Sequence, residues 1–140
     1  MRNEWSAYDL ETRTGFKVEV KSAAYLQSWR QKRPSPIRFD IKPTYDVVNE
    51  ADGRWKQSDV SKRQADVYVF CVLSHQDKET IDPLNMAQWD FYLLPTKILN
   101  ERAEKQKSIY LLVLLKLEPK QVRYGEIANV IDELMNTEQI

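Results

Sequence analysis

Residues Ala65 to Leu73, ADVYVFCVL, are apolar almost without a break and rich in β-branched and aromatic side chains. A strand with one wet face alternates apolar and polar residues. A short run without that alternation reads as a strand covered on both faces. The chain must therefore build a sheet with a layer on each side of it. A hydrophobic fraction of 42% and an aromatic fraction of 11% over 140 residues suffice for one such domain.

Other segments supply the remaining elements. A hairpin is predicted from about Tyr8 to Lys21. The stretch Ser22 to Pro36 is polar and basic, read as loop with some helix around Ala23 to Gln31, ended by Pro34 and Pro36. Ile37 to Ile41 (IRFDI) alternates and reads as a strand. Residues 43–64 are polar and turn-rich, with a turn at Ala51-Asp52-Gly53 and a helical turn near Val60 to Gln64. A loop over 74–88 leads into a strand from Trp89 to Leu94. Pro95-Thr96 opens a helix extending to about Lys107, and Ile109 to Leu117 reads as another buried strand. Tyr124 to Asn136 is the best helix, because Ile127, Val130, Ile131, Leu134 and Met135 form one stripe. The sum is an α/β domain, a mixed β-sheet flanked by helices, with α+β as the neighbouring class.

Composition removes several functions. Three glycines, Gly15, Gly53 and Gly125, cannot assemble a GxGxxG or GxxxxGK[ST] loop. One cysteine, Cys71, and one histidine, His75, cannot make a disulfide or a Cys/His zinc site. Cys71 is expected in the core, His75 in a structural role, and Trp55 and Trp89 in packing. The N-terminus has no apolar core of a signal peptide, and no run approaches the ~20 residues of a membrane helix. A cytoplasmic setting without a membrane partner is the expectation.

Charge is balanced overall but not along the chain. Arg13 to Lys42 holds eight basic and two acidic residues, a net of +6; from Pro43 onward there are twelve basic and sixteen acidic, a net of −4. A local basic segment on a neutral chain can face one polyanion. It also suits a plain solvated loop. Within it, Gln27, Arg30, Gln31, Lys32 and Arg33 are the candidates for contact with nucleic acid, the cations on phosphates and the amides on bases or sugars. Tyr25, Leu26 and Trp29 are expected to pack.

The first hairpin carries the chemistry. Strands Ala7 to Thr12 and Phe16 to Lys21 flank Arg13-Thr14-Gly15, a three-residue loop with Gly last, where a left-handed residue is needed. This register sets Thr12 opposite Phe16, Leu10 opposite Val18 and Tyr8 opposite Val20, an inward face. On the other face Glu11 meets Lys17, Asp9 meets Glu19 and Ala7 meets Lys21. Two carboxylates opposed at roughly 4.5–5.5 Å between Cβ atoms repel. A divalent cation would relieve them, and Mg²⁺ prefers such oxygens. The Val20 carbonyl is a third candidate ligand, and Lys21 lies beside the pair. Metal, activated water and lysine are the parts phosphodiester hydrolysis needs. The same Lys-Val-Glu-Val-Lys run also suits an ordinary half-exposed strand.

Tyr8-Asp9-Leu10 followed by Val18-Glu19-Val20-Lys21-Ser22 resembles the PD-(D/E)XK nuclease superfamily, with Tyr8 in place of the proline. The resemblance implies a restriction-endonuclease-like fold and Mg²⁺ or Mn²⁺ held by Asp9 and Glu19. It also implies Lys21 as catalytic lysine and DNA as substrate. It covers residues 8–22. Such nucleases usually carry a helix before the first strand, often with a metal-assisting glutamate. Only eight residues precede Asp9, with Glu4 as the one stand-in there. A homodimer, or a partner chain supplying the helix, follows from the same resemblance. The competing readings are a non-cutting nucleic-acid-binding or interaction subunit that keeps the fold, and a protein-interaction domain whose K-x-E-x-K strand is only a wet face.

Overall fold

A computed structural model describes residues 9–49, 51 and 53–138. Its centre is the strand expected at ADVYVFCVL. Numbered in chain order, the strands are β1 (Leu10–Glu11), β2 (Lys17–Ala24), β3 (Arg38–Asp40), β4 (Thr44–Asn49), β5 (Trp55–Lys62), β6 (Val67–Leu73), β7 (Trp89–Pro95), β8 (Ser108–Tyr110) and β9 (Lys120–Val122). The α-helices are α1 (Thr96–Arg102), α2 (Leu111–Lys116) and α3 (Ile127–Glu138). Five strands form one mixed sheet in the order β1-β2-β6-β7-β9. β6 runs parallel to β2 and antiparallel to β7, and all of its residues are buried. The domain is α/β, as the pattern of elements implied.

Both faces of β6 are covered by different material, which is why its sequence cannot alternate. Val67, Val69 and Cys71 face α3, whose stripe Ile127, Val130, Ile131, Leu134 and Met135 packs against them. Tyr68, Phe70 and Val72 face a second core containing Ile37, Phe39, Ile41 and Ile109 from the β3–β8 ribbon, Leu99 of α1 and Leu114 of α2. Each large side chain so covered, such as Phe70 or Leu93, contributes roughly 1.5–3 kcal/mol. Buried Arg63 ties this layer together. Its five N–H groups donate to the carbonyls of Ile41, Ala103, Glu104 and Gln106 and to Asn100 Oδ1, at 2.8–3.2 Å.

Several expectations are corrected. The helix around Ala23 to Gln31 is absent. β2 instead continues to Ala24 because β6 continues beside it, pairing Ser22 with Cys71, Ala23 with Val72 and Ala24 with Leu73. Ladder bonds there outweigh the helix preference of alanine. Residues 43–64 hold a β4–β5 hairpin rather than a helical turn; the turn at Gly53 (φ 84°) stands. The helix from Thr96 ends at Arg102, short of Lys107.

The buried strand over Ile109 to Leu117 divides into β8 and α2. The Leu111 amide still reaches the Ile37 carbonyl at 3.0 Å, but Pro36 before it has no N–H to offer. The leucines then follow their own helix preference, burying Leu114 and leaving Leu112 75% exposed. β9, paired with β7, was not legible as a strand. Trp55 and Trp29 are exposed rather than packed, and Leu10 is exposed rather than inward. Trp89 does pack. It stacks on Phe91 with ring centroids 6.4 Å apart and donates its indole N–H to the Pro83 carbonyl.

Candidate active site

The β1–β2 turn closes as its sequence requires. Gly15 has φ 92°, its amide donates to the Thr12 carbonyl at 3.0 Å, and the Thr12 amide donates to the Phe16 carbonyl at 2.8 Å. The register is Leu10 with Val18 and Glu11 with Lys17, the one expected. Thr14 Oγ1 donates to Asp132 Oδ1 of α3 at 2.7 Å, tethering the hairpin tip.

Asp9 departs from the expected direct opposition to Glu19. It stands at a bend just before β1, and its amide donates to the Val18 carbonyl at 3.0 Å. Its carboxylate turns along β2 and accepts the Val20 amide, with Oδ2 at 2.8 Å. Tyr8 and Ala7, expected opposite Val20 and Lys21, lie outside the described residues, as does Glu4.

Along β2 the backbone groups alternate in direction. The Lys17 carbonyl points to β6, accepting the Asp66 amide at 2.8 Å. The groups of Glu19 and Lys21 share that direction, while those of Val18 and Val20 point toward β1. The Val20 carbonyl is therefore on the same edge as its amide, where Asp9 sits. The side chains alternate as well. In the parallel register Glu19 pairs with Tyr68 and Lys21 with Phe70, on the face of the second core. Both Glu19 and Lys21 are half-buried at the margin of that core.

Tyr68 is the β6 residue in register with Glu19. Burial pushes its phenol up to about 12, helped by the carboxylates of Glu19, Asp40 and Asp9 and opposed by Arg63. Glu19 is the largest of these carboxylate contributions and Asp9 the smallest. Two carboxylates and one strand carbonyl at a sheet edge suit Mg²⁺ or Mn²⁺, which retains waters for its other positions. Among the described residues no cluster of three or more His, Cys, Asp or Glu side chains could hold an ion. Asp9, Glu19 and the Val20 carbonyl are the candidate donors for such an ion.

The basic segment leaves the end of β2 as a turn-rich loop. Gln27 and Gln31 stabilise the loop itself. Gln31 Oε1 accepts the Gln27 amide at 2.8 Å, the Gln27 side chain donates to the Ala24 carbonyl at 2.9 Å, and that of Gln31 donates to Ser35 Oγ and the Tyr25 carbonyl. Arg30, Lys32 and Arg33 are exposed. Lys78, from the loop before β7, donates to the Trp29 carbonyl at 3.3 Å and brings a further cation to the same place. His75 stands apart, hydrogen-bonded to Thr80 Oγ1 at 2.7 Å. Cys71 is buried mid-strand, and burial pushes its thiol up to about 11, which makes it a core residue and not a nucleophile.

The sequence matches the family model for bacteriophage T4 endonuclease IV over residues 3–113. That span holds the hairpin, the basic loop, β6 and β7. The chain belongs to this family. Comparison with characterised proteins and with solved structures gives no match. Membership in the endonuclease IV family supports a nuclease. No helix among the described residues is long and apolar enough to cross a membrane.

In this endonuclease IV family member, sequence reasoning missed Tyr68, Asp40 and Lys78 near the candidate site. Tyr68 was hidden inside an apolar run where any aromatic reads as core. The available signal was its polar tip, which a strand covered on both faces has to accommodate. Asp40 alternates with Phe39 and Ile41 and reads as an ordinary wet-face residue. Lys78 reaches the basic loop only through the fold.

Proposed function

We propose that this endonuclease IV family member is a metal-dependent nuclease of the PD-(D/E)XK kind, hydrolysing phosphodiester bonds in DNA. The observation that carries the reading is the Asp9 carboxylate held on the Val20 amide at 2.8 Å, midway between Glu19 and Lys21. It ties the first acidic residue of the motif to the strand that carries the other two.

Asp9, Glu19 and the Val20 carbonyl would hold Mg²⁺ or Mn²⁺, which supplies Lewis acidity and a bound water of lowered pKa. The chain's own groups do the rest. The Val20 amide fixes the rotamer of Asp9. Glu19 stands half-buried at the margin of the second core. Lys21, two residues along the same face, orients the attacking water and offsets negative charge developing on the phosphoryl oxygens. Arg30, Lys32 and Arg33, with Lys78, neutralise flanking phosphates and set the strand's position. The products are a free hydroxyl and a phosphomonoester, one P–O bond having been replaced by another from water.

The test is cleavage of supercoiled plasmid by the full chain with Mg²⁺, with Mn²⁺ and with a chelator. Nicking is expected with either ion, none with the chelator, and none from Glu19→Gln. Equal cleavage with and without chelator would exclude the metal-dependent reading.

A further inference from the structure

The aromatic side chains of β7 continue into a ring that lies outside both cores. Trp89 stacks on Phe91 at 6.4 Å between centroids, and Phe91 meets Tyr124 at 5.9 Å, tilted by 48°. Phe91 is 5% exposed, whereas Tyr124 is 61% exposed. Phe91 thus backs a ring that stands largely in solvent. Its backbone is held in place by the turn between β9 and α3. There the Arg123 amide donates to Glu126 Oε1 at 2.9 Å, and the Glu126 amide returns a bond to the Arg123 carbonyl at 2.9 Å.

A single exposed aromatic is ordinary. The cavities that adjoin this one are not. Tyr124 and Gly125 line both. The larger, about 740 Å³, also has Trp89, Asp90, Gln121 and Arg123 in its wall. The smaller, about 510 Å³, reaches Val20, whose amide holds Asp9. Together they extend from the proposed metal site to the far edge of the sheet. The basic loop lies at the same end of that sheet. Leu73 pairs on one side with Ala24, where β2 gives way to the loop, and on the other with Trp89. The segment from 74 to 88 carries Lys78, bonded to the Trp29 carbonyl, and Met86, in the wall of the larger cavity.

The lining narrows the ligand. With Asp90 and Glu126 beside Arg123, the larger cavity has no positive excess and does not suit a phosphate. Aromatic walls with an amide, a carboxylate and a guanidinium suit a neutral planar ring with hydrogen-bonding edges, which describes a nucleobase.

On the reading that DNA is the substrate, and without recourse to the metal, we propose that this cleft is a nucleobase subsite, in which one base of the bound strand stacks on Tyr124 while its phosphates lie along the basic loop. Stacking on an aromatic side chain contributes roughly 5- to 100-fold in affinity per base and accepts different bases.

The experiment measures binding by fluorescence anisotropy, in chelator so that nothing is cut. The probes are a labelled single-stranded oligonucleotide and an abasic strand of the same length. The proteins are the full chain as wild type, Tyr124→Leu, Tyr124→Phe and Arg30→Ala. Tyr124→Leu keeps an apolar cover over Phe91 and should melt near wild type. It should bind the intact strand roughly 5- to 100-fold more weakly, bind the abasic strand as wild type does, and keep the salt slope. Tyr124→Phe, which retains the ring, should match wild type on both. Arg30→Ala should weaken both strands alike and flatten the slope. An equal loss on the two strands in Tyr124→Leu, or no loss on either, would overturn the subsite and leave the nuclease reading standing. Equal affinity of the wild type for the two strands would overturn the subsite whatever the variants do. A wild type that binds neither strand would overturn the reading of DNA as substrate, and the subsite with it.

Discussion

The carboxylate of Asp9 accepts the backbone N–H of Val20 at 2.8 Å, joining the bend before β1 to the middle of β2. The bond fixes one oxygen of an acidic side chain at the open end of a hairpin.

Asp9→Asn separates the structural part of this bond from the electrostatic one. Asparagine keeps an oxygen that can accept the Val20 amide, so the metal-free protein should melt within a few degrees of wild type. The metal response should vanish, because one of two charges that attract the ion is gone. At a Mn²⁺ concentration tenfold above its Kd, linkage gives wild type about 1.4 kcal/mol, or roughly 3–6 °C for a domain of this size. A thermal shift of that order retained in Asp9→Asn would remove Asp9 from the ligand set.

Arg63→Lys should destabilise the fold while leaving the hairpin intact. A lysine cannot reproduce five donors in a planar fork. Carbonyls after α1 and at Ile41 would be deprived of their partner inside the protein. The expected loss is about 3 kcal/mol, from buried acceptors left unpaired. Urea denaturation measures it. A midpoint shift worth under about 1 kcal/mol would mean that water replaces the guanidinium at no great cost.

What the sequence made legible follows from how local each signal is. β6 and α3 are legible because burial on two faces, or on one stripe, is written in consecutive residues. The hairpin register down to Leu10 and Val18 is legible because Gly15 fixes the turn and the pairing follows by counting. The bend at Asp9 is not, since it depends on a side chain choosing a backbone amide over the ladder. β4–β5 is illegible because its strands are polar and pair only with each other. Residues 109–117 look like one strand because leucine and valine suit either state; the short β3, preceded by Pro36, decides where pairing stops. Tyr68 joins the site only through the parallel pairing of β2 with β6, which brings together residues 49 apart in sequence.

The exposed cations of the basic loop make a prediction about affinity. Replacing Arg30, Lys32 and Arg33 with alanine should weaken DNA binding by a similar factor for different sequences. The slope of log K against log salt should flatten by roughly 0.9 for each phosphate that is no longer neutralised. Stability should barely change, because all three side chains are exposed. Gln27→Ala and Gln31→Ala should behave differently, loosening the loop they brace and lowering affinity without changing the slope. Fluorescence anisotropy over a range of salt concentrations reads both quantities. A slope untouched by the triple substitution would place the phosphate-binding surface elsewhere.

Lys21 and Lys17 provide the decisive comparison for chemistry. Both lie on β2 with the same alternation, four residues apart. Lys21 is half-buried and shares its margin with Glu19, whereas Lys17 is exposed and pairs in register with Glu11. If Lys21 positions the attacking water, Lys21→Ala should bind Mn²⁺ and DNA nearly as wild type does, yet cleave on the order of 10²–10⁴ more slowly. Its fold should survive, since the side chain stands at the edge of the core and not within it. Lys17→Ala removes the same charge from the same strand, and its backbone amide remains on Asp66 Oδ2 at 2.8 Å. Its rate should stay within about twofold, because only surface electrostatics change. Single-turnover cleavage at saturating Mn²⁺ compares the two directly and excludes differences in binding. Similar rates for the two variants would take the catalytic role from Lys21 and leave it a residue of the sheet margin.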